Sequence, residues 1–358
     1  MKTIVVLGAG KIGRMVAHFL ANHGGYELRI GDSSEQAVEN IVAECDNTTG
    51  FRINFTDTAD LDKLMDGADA VISCAPFHCN PIIAEQAKHN RVHYFDLTED
   101  VEVTKKVAAL AEGAECAFVP QCGLAPGFIT ITAVHLMRQM TDVSDLRMRV
   151  GALPRYPSNM LKYNLTWSTE GLINEYLQPC EVIFNGELRT VQAMENLERI
   201  TIDGVEYEGF NTSGGLGTLA ESLLGKVRNV NYKSLRYPGH NYLMKFLLTD
   251  LRMQNKMEEL CQIFDDRLPT TFQDQIVIFV SATGMFRGKR TEATYARTIY
   301  HQEIDEQNWS GIQITTAAGV CAVADMLLHE QLPQRGFVRQ EEVDYTQFIA
   351  NRFGKYYA

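Results

Sequence analysis

The feature that most constrains the fold is a glycine-rich turn that directly follows the first apolar run. Thr3–Leu7 consists of β-branched and apolar residues, as expected of a strand buried on both faces of a parallel sheet. The sequence Gly8-Ala-Gly10-Lys-Ile-Gly13 comes next, and residues 11–22 carry apolar side chains at helical spacing. A strand, a G-x-G-x-x-G turn and a helix in this order predict a βαβ unit that binds a dinucleotide.

Each position of the turn has its own task in such a site. Gly8 permits the tight turn, Gly10 lets backbone N–H groups approach a pyrophosphate, and Gly13 allows the helix to pack closely on the strand. The helix N-terminus adds free N–H groups and the positive end of a dipole. We therefore assign cofactor binding to the turn and the first helical residues, Gly8, Gly10, Lys11, Ile12 and Gly13, with simple solvent exposure as the alternative for Lys11.

A carboxylate stands at the spacing that this type of site requires. Asp32 lies at the end of the second predicted strand, about 20 residues beyond Gly13. A carboxylate there accepts hydrogen bonds from the adenosine ribose hydroxyls and repels a 2′-phosphate, which favours NAD over NADP. The alternative is that Asp32 only caps the helix predicted after it, at residues 33–45.

The fourth predicted strand ends in small residues. Ser73, Ala75 and Pro76 leave room at the carboxyl edge of the sheet, where the second half of a dinucleotide would lie. We include these three residues in the cofactor site. The alternative is a simple transition from strand to loop.

Alternation of strands and helices continues as far as residue 119 and is typical of a doubly wound parallel sheet. The predicted strands are residues 3–7, 27–30, 51–55, 70–74, 92–95 and 116–119. The predicted helices are residues 11–22, 35–45, 59–65, 81–89 and 101–111, with Asn80 as the expected N-cap of the fourth.

After Pro120 the pattern becomes mixed α+β. Asn185-Gly186 and Asp203-Gly204 lie between strand-like runs and predict tight hairpins. Further predicted strands are residues 146–151, 161–167, 275–286 and 292–300, and further helices are residues 217–226, 241–252, 255–264 and 312–328. The junction between the two patterns is expected near residues 120–127.

Charge and cysteine usage exclude several classes of protein. Asp and Glu outnumber Lys and Arg by 45 to 33, giving a formal charge of −12, which opposes nucleic-acid and anionic-membrane partners. The eight cysteines form no Cys-x-x-Cys pair, so we expect free thiols, no metal site and a cytoplasmic location. The apolar run at the N-terminus is too short for a signal-peptide core, and we expect no membrane-spanning segment.

The chain also resembles the saccharopine dehydrogenase family, and within it the lysine 6-dehydrogenase-like branch. The resemblance extends over nearly the whole chain and is carried by the order of several short segments. These are Ser73-Cys-Ala-Pro-Phe-His78, His93-Tyr-Phe-Asp-Leu-Thr-Glu99, Cys122-Gly-Leu-Ala-Pro-Gly127, Tyr163-Asn-Leu-Thr-Trp-Ser168, Phe210-Asn-Thr-Ser-Gly-Gly-Leu-Gly-Thr-Leu219, Leu235-Arg-Tyr-Pro-Gly-His240, Gly336-Phe-Val-Arg-Gln-Glu341 and Asn351-Arg-Phe-Gly354.

This resemblance implies a fold and a reaction. The implied fold is α/β, with a Rossmann domain at residues 1–122 and a mixed α+β substrate and dimerisation domain at residues 123–318. A C-terminal segment at residues 319–358 would return to the Rossmann domain. The implied reaction is NAD(P)-dependent oxidation at an amine-bearing carbon of an amino acid, carried out by a homodimer. The cofactor accepts the hydride, and the protein supplies orientation and proton handling.

One position departs from the family pattern. Saccharopine-forming relatives have an arginine in the segment that matches Trp167–Gly171, and here that position aligns by eye with Glu170. Arginine suits a substrate carboxylate, whereas glutamate repels a carboxylate and attracts an ammonium group. Glu170 therefore favours a diamine-type substrate such as lysine over saccharopine.

Two residues are candidates for proton transfer. Asp96 follows a strand at the carboxyl edge of the sheet, where it would hold an amine or act as a base, unless it only caps the helix after it. His240 has a side chain that titrates near neutral pH. Arg236 precedes it across a turn and is a candidate clamp for an α-carboxylate, with simple packing as the alternative for both.

The remaining substrate candidates are aromatic, hydroxyl and backbone groups. Thr212 and Ser213 lie in a polar loop that would bind a carboxylate or the nicotinamide carboxamide, unless they serve only as caps and turn residues. By resemblance, the backbone of Cys122 and Gly123 lines the pocket, with a plain hinge as the alternative. Phe77 and Tyr163 complete the set, with buried packing as the alternative for Tyr163. We do not expect the Cys122 thiol to act as a nucleophile.

The leading hypothesis is an NAD-dependent amino-acid dehydrogenase, most like lysine 6-dehydrogenase. A saccharopine or carboxynorspermidine-type dehydrogenase, which couples an amine to a carbonyl, is the alternative enzyme. A non-catalytic NAD(H)-binding sensor is an alternative of another class.

Overall fold

A computed structural model describes all 358 residues, and the chain divides into two compact units. The first unit comprises Met1–Ile131 together with Gln313–Ala358, and the second comprises Thr132–Ile312. The sequence placed the two junctions at residues 122/123 and 318/319. Both observed junctions lie inside helices, where the sequence pattern does not change, so the pattern alone cannot locate them.

The first unit contains a seven-stranded sheet in which every pair of neighbouring strands is parallel. Its strands are β1 (Thr3–Leu7), β2 (Glu27–Asp32), β3 (Thr48–Arg52), β4 (Ala70–Ser73), β5 (His93–Asp96), β6 (Ala117–Val119) and β17 (Gly336–Phe337). Their order in the sheet is β17-β6-β5-β4-β1-β2-β3. The reversal of strand order at β1 and β4 is the place where open α/β sheets bind ligands, and the doubly wound prediction is confirmed.

Helices separate these strands, as a parallel sheet requires. They are α1 (Lys11–His18), α2 (Glu35–Glu44), α3 (Thr58–Met65), α4 (Asn80–Asn90) and α5 (Val101–Ala111). Two further helices, α6 (Phe128–Arg138) and α11 (Gly311–Leu328), run through the two junctions, and α12 (Tyr345–Ala350) follows the last strand. A π-helical turn, Phe19–Gly24, continues α1. All five residues of β1 are buried, which explains their unbroken apolar character.

The C-terminal segment is part of the first unit. β17 pairs with β6, and a buried network fixes the last residues to α11. In this network Asp325 accepts hydrogen bonds from the Tyr26 hydroxyl at 2.6 Å and from Asn351 Nδ2 at 2.7 Å, and it pairs with Arg352. Tyr357 stacks on Phe128, with ring centroids 3.8 Å apart.

Helix α11 is the one helix whose length and composition would allow it to cross a membrane, with a mean hydropathy of 1.5. Of this helix, 89% is buried inside the protein. Burial on this scale is typical of the core helix of a globular protein, because a membrane span would present its apolar side chains to lipid.

The second unit contains a mixed eight-stranded sheet. Its strands are β7 (Thr141–Pro154), β8 (Cys180–Phe184), β9 (Glu187–Val191), β10 (Glu198–Ile202), β11 (Val205–Phe210), β12 (Asn229–Arg236), β13 (Asp274–Phe286) and β14 (Lys289–Tyr300). The main path is β10-β11-β12-β7-β13-β14, with β8 joined to β12 and β9. Only β12 and β7 pair in parallel along this path, so the α+β prediction is confirmed.

The helices of the second unit are α7 (Thr169–Leu177), α8 (Leu219–Leu223), α9 (His240–Lys245) and α10 (Met257–Arg267), and a small hairpin is formed by β15 (Gln302–Ile304) and β16 (Gln307–Trp309). The Asn185-Gly186 and Asp203-Gly204 hairpins form as predicted. In both, the turn residues have positive φ, which asparagine, aspartate and glycine tolerate.

Three local predictions are wrong. Residues 161–167 form no strand apart from a single bridge at Leu165, because their alternating apolar side chains pack against a helical core. The third strand is Thr48–Arg52 rather than 51–55, since the later apolar residues leave the sheet to fill the core. Asn80 is the first residue of α4 rather than its N-cap, and its side chain accepts a hydrogen bond from Ser73.

Candidate functional site

The glycine turn is shaped by backbone contacts that exclude larger residues. Gly8 has a φ of +102°, and a Cβ atom there would lie 2.5 Å from the carbonyl oxygen of Cys74. A Cβ atom on Gly13 would lie 1.7 Å from the carbonyl oxygen of Gly8. Both distances are far below van der Waals contact, so these two glycines are required by the fold of the turn itself.

Gly10 differs from its two neighbours in the motif. Its φ is −75°, and a Cβ atom built on it would meet nothing within 4 Å. Gly10 is also the N-cap of α1 and provides no side chain to cap the N–H groups of the first turn. The turn therefore leaves open space in front of a helix N-terminus, and this arrangement fits the pyrophosphate of a dinucleotide.

Asp32 lies beside this turn at the carboxyl edge of the sheet. One carboxylate oxygen accepts a hydrogen bond from the backbone N–H of Ala9 at 2.7 Å, and the other accepts one from Ser34 N–H at 2.8 Å. The cap of α2 is Ser34, whose hydroxyl accepts a hydrogen bond from the Ala37 N–H. Asp32 thus joins the glycine turn to the end of β2, and the capping role proposed as the alternative belongs to Ser34.

The ends of β4 and β5 lie in register with the end of β1, with Leu7 beside Ser73 and Ser73 beside Asp96. The Ser73 hydroxyl is buried and donates to Asn80 Oδ1 at 2.7 Å, so it is turned into the protein. Pro76 is exposed, and Ala75 and Phe77 are half-buried. The structure thus brings these predicted residues to one sheet edge, where Ser73 can contribute its backbone rather than its hydroxyl.

Asp96 has no exposed surface. Its carboxylate accepts hydrogen bonds from the Tyr94 hydroxyl at 2.8 Å and from the backbone N–H groups of Thr98 and Gln121 at 3.0 and 2.9 Å. Burial raises the pKa of Asp96 to about 6, although these hydrogen bonds oppose the rise. The carboxylate holds together the loops that follow β5 and β6, and its predicted role in proton transfer stays a prediction.

Cys122 and Gly123 follow β6 and are also buried. The Cys122 sulfur lies 2.9 Å from the carbonyl oxygen of Val119 and 3.1 Å from Nε2 of Gln340. Burial raises the pKa of the Cys122 thiol well above its usual range, so the group stays neutral and is a poor nucleophile. A Cβ atom on Gly319 of α11 would lie 2.7 Å from the carbonyl oxygens of both Cys122 and Gly123, so the helix packs closely on this loop.

Arg236 of the second unit is buried in a polar cluster rather than exposed as a clamp. Its Nη2 donates to Glu175 Oε1 at 3.0 Å, and its Nε donates to the Tyr176 hydroxyl at 2.8 Å. The guanidinium also lies over the ring of Tyr163, 5.4 Å from the centroid. The predicted carboxylate clamp thus already has a carboxylate partner inside the protein.

His240 belongs to the same cluster. Its Nδ1 lies 3.0 Å from the carbonyl oxygen of Leu161, and its Nε2 lies 3.1 Å from the Tyr176 hydroxyl. A carbonyl only accepts, so Nδ1 carries the proton and Nε2 accepts from Tyr176. Burial, together with the charge of Arg236, lowers the pKa of His240 to about 3. The imidazole is therefore neutral near pH 7, which opposes the predicted proton transfer in that range.

The polar loop and Tyr163 are buried as well. The Thr212 hydroxyl lies 2.8 Å from the Ser234 hydroxyl, and the backbone N–H of Ser213 donates to the carbonyl oxygen of Glu175 at 3.0 Å. Thr212, Ser213, Tyr163, Arg236 and His240 thus lie in one connected region of the second unit. In this structure their polar groups mainly satisfy one another.

Glu170 is separate from this cluster. It lies exposed in the first turn of α7, and burial, together with the charge of Glu170, raises the pKa of Cys261 on α10. Glu175 is five residues further along the same helix, which places it roughly 140° around the helix axis. The acidic partner of Arg236 is therefore Glu175, whereas Glu170 is exposed, and its predicted role in attracting a substrate ammonium group stays a prediction.

Glu175 and Tyr176 were not predicted as site residues, because the sequence pattern indicated a strand at 161–167 and no helix after it. One signal was available. Ser168 followed by Thr169 and Glu170 is a typical helix start, and the Ser168 hydroxyl does accept a hydrogen bond from the N–H of Gly171. A helix beginning there would have placed Glu175 and Tyr176 on its buried side.

Comparisons with known families cover almost the entire chain. Residues 4–119 match the family model described as the saccharopine dehydrogenase NADP binding domain. Residues 123–356 match the model described as the saccharopine dehydrogenase C-terminal domain.

Individual relatives are distant in sequence. The chain is 23% identical over 288 residues to alpha-aminoadipic semialdehyde synthase of Rattus norvegicus, covering 70% of this chain and 31% of the rat protein. It is 20% identical over 257 residues to saccharopine dehydrogenase [NADP(+), L-glutamate-forming] of Pyricularia oryzae, covering 69% of this chain and 57% of that protein. The chain thus spans about a third of the rat relative's length.

A solved structure shares the fold over the full chain. Apo saccharopine dehydrogenase (L-Glu forming) of Saccharomyces cerevisiae aligns with a TM-score of 0.79 and 15% identity, covering all of this chain and 96% of the yeast chain. At this identity the similarity concerns the fold, which agrees with a parallel nucleotide-binding sheet followed by a mixed sheet.

Proposed function

The chain belongs to the saccharopine dehydrogenase family, and we propose that it is an NAD-dependent oxidoreductase acting on the CH–NH group of an amino acid, most like L-lysine 6-dehydrogenase. In such a reaction the bound nicotinamide ring supplies the hydride acceptor. The protein binds and orients both reactants and excludes water from them. The resulting imine is open to hydrolysis, which releases an aldehyde and a free amine.

The observation that carries the proposal is the open glycine turn in a chain whose two halves both match this family. Gly8 and Gly13 are required by backbone packing, whereas the space in front of Gly10 is left open. A turn that only had to fold would not need a glycine at the tenth position, because its φ of −75° suits any residue. Glycine there is explained by the close approach of a phosphate group.

Asp32 supports NAD as the cofactor in preference to NADP. Its carboxylate ends β2 beside the turn, and serines rather than arginines follow it. A 2′-phosphate at this position would meet a negative charge without an adjacent cation from the same loop. The name of the family model includes NADP, so the preference of this chain requires its own measurement.

That measurement is a titration of the protein with NADH and NADPH, followed by nicotinamide fluorescence. We expect NADH to bind at least tenfold more tightly. Asp32→Ala should weaken NADH binding more than NADPH binding, because it removes both the ribose acceptor and the repulsion of the phosphate. Equal affinities in the unmodified protein would contradict the assignment of NAD.

The pairing of Arg236 with Glu175 supports a cationic amine substrate. Saccharopine carries three carboxylates, and each needs a positively charged or donor-rich partner in a buried site. Here the guanidinium of Arg236 is neutralised by Glu175, and the chain has an overall charge of −12. A diamine-type amino acid makes a smaller demand for cations than saccharopine does.

The test is an assay of NADH formation from NAD with L-lysine, and with L-ornithine as a shorter homologue. We expect turnover with lysine and a weaker response with ornithine. Absence of NADH formation with both amino acids would overturn the substrate proposal and would leave nucleotide binding to be judged by the titration above.

Reductive coupling of an amine and a carbonyl is a second candidate, because the names of two relatives describe the same interconversion in its reverse, glutamate-forming direction. Two of them are described as an aminoadipic semialdehyde synthase and as a glutamate-forming saccharopine dehydrogenase. The matching assay follows NADH or NADPH consumption with aminoadipic semialdehyde and glutamate. Activity in this assay, with none from lysine and NAD, would favour the coupling reaction.

We also propose that the protein is a cytoplasmic homodimer formed through β14, the last strand on the main path of the second sheet. One side of β14 presents Thr294, Ala296 and Tyr300, all exposed, whereas on its other side Ile299 is buried and Tyr295 is half-buried. The eight free cysteines suit a reducing compartment. Sedimentation should give a dimer, and Ala296→Arg should shift it to a monomer. A monomeric unmodified protein would contradict the proposal.

A further inference from the structure

Gln313 makes a long-range contact with the glycine-rich region. It is 3% exposed and lies near the start of α11. Its Nε2 donates a hydrogen bond to the backbone carbonyl oxygen of Lys11 at 2.9 Å, across 302 positions of sequence. Lys11 is the first residue of α1 and directly follows Gly10. The side chain of Gln313 therefore reaches the turn that leads into the nucleotide-binding helix.

The start of α11 is itself firmly held. The carboxylate of Asp274, which has no exposed surface, accepts hydrogen bonds from the backbone N–H groups of Gly311 and Ile312, the latter at 3.0 Å. These bonds satisfy two of the N–H groups that a helix N-terminus leaves without an intrahelical partner. Gln313 is the next residue and lies in the first turn of this capped helix.

The carbonyl oxygen of Lys11 can accept two hydrogen bonds. In an α-helix it accepts a bond from the N–H four residues later, and its second lone pair remains available. Gln313 uses that lone pair. A donor on this carbonyl restrains the tilt of the first peptide groups of α1. The free N–H groups of the same turn point in the opposite direction, toward the open space in front of Gly10.

We propose that Gln313 is a positioning residue for the dinucleotide site. It orients the first turn of α1, and through this turn it sets the direction of the N–H groups that meet the pyrophosphate. Anion binding at a helix N-terminus depends on the aim of these groups, since hydrogen bonds weaken as their angles depart from linearity. The inference rests on the nucleotide binding proposed above and is independent of the identity of the amino-acid substrate.

The test compares Gln313→Leu with a matched control in the segment that follows the same helix. Gln334 donates through Nε2 to the carbonyls of Leu327 and Leu332, at 2.9 and 2.8 Å, and has no contact with the glycine turn. Affinity is measured by calorimetry with ADP-ribose and by fluorescence with NADH, both of which contain the pyrophosphate. Neither measurement includes an amino-acid substrate, so both report on nucleotide binding alone.

We expect Gln313→Leu to bind both nucleotides about five- to tenfold more weakly, the effect of one lost hydrogen bond. Gln334→Leu should lower the melting temperature without changing either affinity. In the free protein, hydrogen exchange of the amides at residues 11–14 should be faster in Gln313→Leu than in Gln334→Leu. If Gln313→Leu does not fold, Gln313→Asn keeps the amide on a shorter stem and is predicted to show the same loss.

Affinities within twofold of the unmodified protein for both nucleotides would overturn this inference alone, as would an equal loss in Gln334→Leu. Failure of the unmodified protein to bind either nucleotide would overturn it together with the proposed function.

Discussion

The two units use polar groups in opposite ways. In the first unit, the glycine turn leaves its helix N–H groups without side-chain caps and keeps the space in front of Gly10 open. In the second unit, Arg236, Glu175, Tyr176 and His240 bond to one another and are almost entirely buried. The glycine turn of the first unit has open space and uncapped N–H groups for a ligand. The polar cluster of the second unit instead stabilises the fold, because its charged and polar groups pair with one another.

This difference has a physical origin. A turn that binds phosphate uses backbone N–H groups, which any residue carries, and needs only the removal of side chains. A buried ion pair needs specific side chains from distant segments, because an unpaired charge in a protein interior is costly. Substitutions in the glycine turn should therefore distinguish positions needed for folding from positions needed for ligand binding. Substitutions in the buried cluster of the second unit should mainly lower the free energy of unfolding.

The largest effect is expected for Gly13→Ala. Its Cβ atom would lie 1.7 Å from the Gly8 carbonyl oxygen, and the backbone must move to avoid this clash. We expect a loss of about 4 kcal/mol in the free energy of unfolding and no measurable NADH binding. Calorimetric unfolding and NADH fluorescence provide the two measurements.

Gly10→Ala is the matched comparison in the same motif. Its Cβ atom would meet nothing within 4 Å, so the free energy of unfolding should change by less than about 0.5 kcal/mol. NADH binding should still weaken at least tenfold, because the methyl group occupies space that the phosphate needs. Equal destabilisation by Gly10→Ala and Gly13→Ala would contradict the distinction between packing and binding glycines.

The next effect concerns the ion pair of the second unit. Arg236→Met removes the cation that pairs with the buried Glu175 carboxylate, at a cost of about 3 kcal/mol. The double variant Arg236→Met with Glu175→Leu should recover at least half of this loss. Trp167 and Trp309 both lie in the second unit, so urea unfolding followed by tryptophan fluorescence reports on it directly. An additive loss in the double variant would show that the pair is not coupled.

A smaller effect is expected from His240 as a function of pH. Its pKa falls from 6.5 to about 3 on folding, so the unfolded chain binds the proton first as pH falls. The contribution of neutral His240 to the free energy of unfolding is fully present above pH 6.5 and is lost progressively as the pH falls toward 3. By pH 5 the loss is about 2 kcal/mol.

His240→Gln removes the titrating group and isolates this contribution. The difference in unfolding free energy between the unmodified protein and the variant should narrow by about 2 kcal/mol between pH 7.5 and pH 5. Asp96 and Asp274, whose pKa values burial raises to about 6, act in the opposite direction but are present in both proteins. A constant difference would mean that the imidazole is not held neutral.

The smallest effect is expected for Glu170→Gln. The side chain is exposed in the first turn of α7 and lies on a different face from Glu175. We expect a change in stability within about 0.5 kcal/mol and an unchanged KM for the amino-acid substrate. A several-fold rise in the KM for the amino-acid substrate would instead indicate that Glu170 contributes to substrate binding.

Prediction from sequence succeeded where local signals govern structure. The bounds of β1 and α5 were predicted correctly, and both hairpins formed at their Asn-Gly and Asp-Gly turns. It failed at 161–167, where alternating side chains pack into a core without strand pairing. It also missed α6, because a buried helix that is apolar on several sides lacks the usual amphipathic pattern.

The candidate site residues also fall into those that local sequence predicted and those that it did not. Gly8, Gly10, Gly13 and Asp32 are close in space as their spacing predicted. By contrast, the partners of Arg236 are about 60 positions away, and nothing in its own segment indicated them. Glu170 and Glu175 are both acidic residues of α7, and only the rotation of the helix decides which one is buried.

The sequence by itself determined the order of strands and helices in the first unit, the glycine turn and the acidic residue beside it. These features depend on backbone geometry and on contacts within a single βαβ unit. Tertiary structure alone decided that Arg236 pairs with Glu175, that His240 is neutral, and that Gln313 reaches Lys11. Charges, burial and long-range hydrogen bonds arise only when distant segments pack together, because each depends on atoms that the local sequence does not contain.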